Sequence, residues 1–164
     1  MRTELYKAIG DRLLNLTGLD DESVRAISDD KGKPIIKHVD LWNRNVEFIE
    51  EDDPFPMPAV FVEFGEILWT PFKTGSGEGY RGNCEVRLHI VTRYQGSSAH
   101  GSKYMKDAPD DIELSERIQL ALTGLRGETY DNFHIVATHT NHDHEEIVEA
   151  IDIYSVHCER FFYK

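Results

Sequence analysis

The residues best suited to chemistry crowd the last third of the chain: His134, His139, His142 and His144, with Asp143 and Glu145 interleaved. Imidazole and carboxylate are fitting ligands for zinc or nickel. A small metal-dependent enzyme using the His134–Glu145 region is therefore one function to weigh. Against it, strand residues of opposite parity point to opposite faces, so His139 and His142 converge only across a turn. His144-Glu145-Glu146-Ile147-Val148 also has valine where an HExxH helix needs its second histidine. The run from His142 to Glu146 reads first as a solvated hairpin tip, and no metal ligand is assigned.

Other chemical signals are weaker. Gly75, Gly77, Gly79 and Gly82 invite comparison with a phosphate loop, but the GxxxxGK[ST] order is missing and the segment joins two strands instead of opening a helix. No GxSxG occurs, and Ser97 and Ser98 sit in a polar loop. Cys84 and Cys158 lack CxxC spacing and fall within apolar-periodic strands, where a small buried thiol is the default; a cytosolic protein would rarely keep a disulfide between them. In so acidic a chain, choosing any two carboxylates as general acid and base would be arbitrary. No catalytic or cofactor-binding residue is assigned, no cofactor is expected, and the expectation is a non-enzymatic protein. Aromatic residues stand out more: Trp42, Trp69, Phe72, Tyr80, Phe161, Phe162 and Tyr163 include several at strand ends or in loops. Core packing is the default for most, whereas Trp69 and Phe72, beside a hairpin, suit a subunit interface equally well.

The elements that must position these groups follow from periodicity. Leu5, Ala8, Ile9, Leu13 and Leu16 mark one face of a helix over 3–16, with Thr3 as its cap and Gly18 as its stop. Residues 19–34 are polar and read as a connection, and 35–42 as a short strand. Pro54, Pro56 and Pro58 impose an extended lead-in to a strand over 59–70. The glycine-rich segment 73–82 is expected to be a flexible hairpin loop. Cys84, Val86, Leu88 and Ile90 then alternate with Glu85, Arg87 and His89 in a half-buried strand. A second flexible loop is expected at about 95–109. It leads into a helix with Leu114, Ile118, Ala121, Leu122 and Leu125 on its apolar face, followed by strands at 133–140 and 147–162. This order predicts an α+β fold: an antiparallel sheet with two main helices packed on one face, in a single domain spanning 1–164.

Composition limits the function further. The 164 residues carry a formal net charge of −12, which repels phosphates and argues against sequence-specific nucleic acid binding. No apolar run approaches the roughly 20 residues that span a bilayer, and the opening Met1-Arg2-Thr3-Glu4-Leu5-Tyr6-Lys7 lacks the apolar core of a signal peptide. A cytoplasm-like compartment and no membrane partner are expected.

Four segments together resemble the small tail-completion or tail-terminator proteins of long-tailed bacteriophages and prophages. They are the opening helix Leu5-Tyr6-Lys7-Ala8-Ile9; the proline-led strand from Pro54 to Val62; the strand ending Val91-Thr92-Arg93-Tyr94 with the later helix Ile118-Gln119-Leu120-Ala121-Leu122; and the final hairpin ending in Ile151 to Cys158. The chain departs from that pattern in an acidic segment over about 20–53 and in its histidine-rich turn. The resemblance implies a virion assembly subunit that associates into a ring, commonly a hexamer, at the head-proximal end of the tail. There it would stop tube growth and meet tail-tube and head-connector proteins. Such a subunit is cytoplasmic during assembly and lies in the virion tail or neck afterwards. A different class also stays open, a monomeric peptide-binding module that uses a sheet edge or its loops.

Overall fold

The computed structural model describes residues 1–16, 18–43, 55–75, 77–93, 108–141 and 147–162. The chain opens with α1 (Arg2–Leu13), whose Leu5, Ile9 and Leu13 are fully buried at helical spacing. It stops short of the predicted end. Asn15 already takes a left-handed φ of 54°, and Leu16 lies outside the helix, half exposed. Met1 stands at the N-cap position with no side-chain cap, so Thr3 lies inside the helix.

A second helix, α2 (Asp21–Ile27), occupies the stretch expected to be a polar connection. Its start is fixed by Asp20, whose Oδ1 accepts the Ser23 N–H at 2.8 Å, and it buries Ala26 and Ile27. After β1 (His38–Leu41) come β2 (Ala59–Ile67), β3 (Thr70–Thr74) and β4 (Gly77–Arg93), then α3 (Ala108–Leu122), β5 (Tyr130–Asn141) and β6 (Ile147–Phe162). Pro109 suits the first turn of α3 because no helical partner is needed there, and Gly124 at φ 72° turns the chain away past its end.

The sheet runs β1-β2-β4-β6-β5, with β3 paired to β4. The α+β class stands, with three helices among the described residues instead of two. The expected antiparallel sheet is corrected to a mixed one: β1 pairs parallel to β2, His38 opposite Ala59 through Leu41 opposite Val62. The cause is the connection. Residues 42–58 are far too many for a hairpin turn, so the chain can return to the starting end and run the same way again.

The expected loop over 73–82 is also corrected. Thr70 pairs with Arg81 and Thr74 with Gly77, so that segment is mostly a two-stranded ribbon. Its glycines mark close approach. A Cβ at Gly79 would lie 2.8 Å from Phe72 Cζ, and one at Gly82 would lie 2.6 Å from the Leu68 carbonyl oxygen. The other expected loop falls mainly on residues outside the described ones, and Ala108 and Pro109 belong to α3.

Alternation along the strands sorts the sheet into two faces. Val60, Val62, Cys84, Val86, Leu88, Ile90, Tyr154, Val156 and Cys158 share a face and form one buried cluster with the apolar residues of α1, α2 and α3. Asp152 lies on this face with no exposure, beneath α3. It accepts hydrogen bonds from Ser115 Oγ at 2.9 Å, Gln119 Nε2 at 3.2 Å and Thr138 Oγ1 at 2.7 Å, which offset the cost of burying a carboxylate. The second face carries a smaller cluster of Phe55, Ala59, Phe61, Val91 and Ile147, to which no helix contributes among the described residues.

Candidate functional site

Two features of the second face, one buried and one exposed, are candidates for function. The buried one centres on His89. In β4 it lies directly opposite Phe61 of β2 and Ile151 of β6. Its diagonal neighbours are therefore Glu63 and Glu149, within reach of long side chains. Nδ1 of His89 lies 2.6 Å from Glu149 Oε1, and Nε2 lies 3.2 Å from Glu63 Oε2. Asn141 Nδ2 donates to the other Glu149 oxygen at 2.8 Å. Arg87 extends the network, reaching Glu63 at 3.4 Å and Glu85 at 2.6 Å; its pKa is raised, first by the hydrogen bond to Glu85. Trp42, delivered by the end of β1, stacks flat on the imidazole with ring centroids 3.8 Å apart and planes 1° apart.

This arrangement does little chemistry. Both ring nitrogens face carboxylate oxygens of the sheet's own strands, and so are already engaged within the cluster. The His89 side chain is only 6% exposed beneath Trp42. No thiol attends it either. Cys84 and Cys158 are free and buried on the other face, and burial pushes the Cys84 thiol up to about 11 and raises Cys158 too. A thiol held protonated in this way is a poor nucleophile. The cluster fastens β1, β2, β4, β6 and β5 together at one end of the sheet.

The exposed feature is an arm. Past Gly82, β4 runs on with β3 on one side and the end of β6 on the other, Gly79 opposite Phe161 and Tyr80 opposite Arg160. Phe72 meets Phe161 edge-on with centroids 5.4 Å apart, and Tyr80 meets Phe162 at 5.9 Å. The guanidinium of Arg81 lies over Phe72 and that of Arg160 over Phe162. By register, Phe72, Arg81 and Phe161 lie on the second face, and Tyr80, Arg160 and Phe162 on the first. The arm thus carries aromatics on both sides, and none of them belongs to either buried cluster. Leu68, at 74% exposure, and Trp69 stand at its base. An open groove of about 870 Å³ runs beside that base over the second face, between Leu68 and Val136, with Asn83, Glu85, Ser155 and His157 along its floor.

The predicted residues are placed unevenly. Trp69 and Phe72, weighed as interface residues, stand at the base of the arm and within it. Tyr163 lies outside the described residues, as do His142, Asp143, His144 and Glu145. His134 and His139 are both on β5, opposite Ser155 and Ile151, an offset of four residues or about 13 Å at strand rise. His134 Nδ1 instead contacts the Asn132 carbonyl oxygen at 2.7 Å. Among the described residues no cluster of three His, Cys, Asp or Glu side chains could hold a metal ion. The His89 network went unpredicted; its signal in sequence is only the polar alternation Glu85, Arg87, His89, which reads as a solvated strand face until the register brings Glu63 and Glu149 alongside.

No protein-family model matches the sequence, and no curated protein matches it. Among solved structures, a chain described as "Virion of native gene transfer agent (GTA) particle" is similar, with a TM-score of 0.49 and 10% identity over 95% of each chain.

Proposed function

We propose that this chain is a non-enzymatic virion assembly protein of the phage type: a tail terminator or tail-completion subunit, folded as one domain, that forms a ring at the head-proximal end of the tail. One observation carries the proposal: a three-stranded arm extends beyond both buried clusters with exposed aromatics on its two sides. Aromatic residues presented this way give an isolated subunit little and an assembly much, since they carry much of the binding energy at interfaces. The four-segment resemblance supports the same reading, and a formal net charge of −12 suits a passage through which DNA must slide without sticking. Tail-tube and head-connector proteins are the partners this reading implies, and the cytoplasm during assembly and then the virion neck are its locations.

The test is light scattering coupled to size exclusion across a concentration series, with negative-stain images of the heaviest fraction. Closed rings are the expected result. A strict monomer at every concentration would shift the reading to a peptide-binding module.

A further inference from the structure

We propose that the His89 cluster is a proton-operated latch. His89 is held as an imidazolium between Glu63 and Glu149, and loss of its second proton as the pH rises releases Trp42 and the end of β1. The first argument is a count of protons. A neutral imidazole carries one N–H and one bare lone pair. Here Nδ1 lies 2.6 Å from Glu149 Oε1 and Nε2 lies 3.2 Å from Glu63 Oε2. Each contact needs a proton between its heavy atoms, because a lone pair facing a carboxylate oxygen is repelled. Two contacts need two protons, and a neutral ring between two carboxylates supplies one. Glu63 also accepts from Arg87 at 3.4 Å, and Glu149 from the Asn141 amide at 2.8 Å. Both carboxylates are acceptors in their other contacts, which leaves the ring as their common donor.

The second argument is the stack. Trp42 lies flat on the imidazole, with centroids 3.8 Å and planes 1° apart. The negative face of an indole is the best aromatic partner for a cation, so the contact favours the charged ring.

The third argument weighs the other charges on the second face. Register sets Asp40, Phe61, His89, Ile151 and His139 in one row across the sheet, so Asp40 and His139 each stand two strands away. Asp40 lies 3.8 Å from His38. Arg93 stands diagonal to Glu149 on the same face. Arg87, Arg93 and the burial of the ring oppose a charge on His89. Arg87 is drawn to Glu85 at 2.6 Å, whereas the two favourable carboxylates touch the ring itself. Coulomb attraction falls with distance, so the direct contacts win.

The consequence falls on the weaker side. The Glu63 contact is the longer one, and Glu63 is a third exposed. Without its proton, Nε2 turns a lone pair toward that carboxylate and the two part. Trp42 then loses the charged ring it covers, and β1 is paired to β2 over only four residues. The folded cluster keeps a proton that the unfolded chain gives up. Its stabilisation is therefore complete below about pH 6.5, the ordinary histidine value, and is lost as the pH rises.

Nitrogen NMR of the full chain, labelled at histidine and assigned with His89→Gln, reads the ring directly. Both nitrogens protonated at about pH 7 is the expected result, and one bare nitrogen there would overturn the proposal. Trp69→Phe leaves Trp42 as the only tryptophan. Its emission is expected to change in one step as the pH rises above neutral, with far-ultraviolet circular dichroism retained. Adding Glu63→Gln removes one of the two carboxylates that hold the proton, and should move that step down by about one pH unit or more. A flat emission profile, or a step that Glu63→Gln leaves in place, would equally overturn the latch.

Discussion

Replacing His89 by alanine tests whether the buried polar cluster holds the second face together. His89 and Glu149 are 6% and 2% exposed and 2.6 Å apart. Removing the imidazole leaves the buried Glu149 carboxylate short of a hydrogen bond, at a cost of about 1.5–3 kcal/mol. The contact to Glu63 adds less than about 1 kcal/mol, because that carboxylate is a third exposed and screened by water. Loss of the flat stack against Trp42 adds about 1 kcal/mol. His89→Ala is therefore expected to destabilise the fold by about 3–4 kcal/mol, a large share of the stability of an ordinary domain, about 5–15 kcal/mol. Urea unfolding followed by circular dichroism measures it. Glu149→Gln alone should cost less, since an amide still takes the Asn141 hydrogen bond. The double variant should then fall short of the sum by more than about 1 kcal/mol, as residues in direct contact do. Strict additivity, or a His89→Ala variant within about 1 kcal/mol of wild type, would refute the account of this cluster as a structural clamp.

Three further predictions concern other parts of the chain. Gly79→Val is expected to push Phe72 off Phe161, because even a Cβ there lies 2.8 Å from the Phe72 ring; hydrogen exchange should then speed up over 70–81 and 159–162 while the body of β4 stays protected. Cys84 and Cys158, buried and with raised thiol pKa values, should resist Ellman's reagent at pH 8 in the native protein and react fully in urea; fast native reaction would show the first-face core to be open. On the acid side, Glu4 is held below its ordinary value of 4.5, first by the Thr129 hydroxyl, and Asp20 below 3.8, first by the Ser23 N–H. Because the folded values are the lower ones, the stability each adds is complete above its unfolded value and is lost as pH falls through the folded value. The melting temperature should therefore decline from about pH 4.5 downward, with a smaller decline in a Glu4→Gln variant.

The parts of the fold legible in sequence are those whose apolar residues repeat on one period over seven to nine residues. Leu5, Ile9 and Leu13 announce α1, Leu114, Ile118 and Leu122 announce α3, and the alternation at Cys84–Ile90 announces β4. α2 escaped because two turns offer few periodic positions, here Ala26 and Ile27, inside a run of acids whose capping role at Asp20 resembles ordinary loop polarity. The parallel pairing of β1 escaped because four residues carry no information about direction. In the ribbon, glycine signalled two opposite things. At Gly79 and Gly82 the missing side chain admits a neighbouring ring or carbonyl, while propensity alone reads the same residues as slack. The His89 cluster is a property of register, and register is set by packing across strands far apart in sequence.

The division of β4 and β6 into a covered half and a bare half bears on how the protein works. Their pairing is unbroken from Glu78 opposite Phe162 to Arg93 opposite Ile147, and at 17 and 16 residues they exceed the usual strand, about 3–10 residues. Between Cys84 and Ile90 the first face packs with the apolar residues of the helices, and at His89 the second face is tied by hydrogen bonds. Beyond Gly82 neither support continues. The contacts that order the arm include its ladder, two edge-on aromatic pairs at about 1 kcal/mol each and two exposed cation–π contacts at about 0.5–1 kcal/mol each. Fixing a backbone residue costs about 1–2 kcal/mol before any contact is counted, so an arm of this length rests close to balance in a lone subunit.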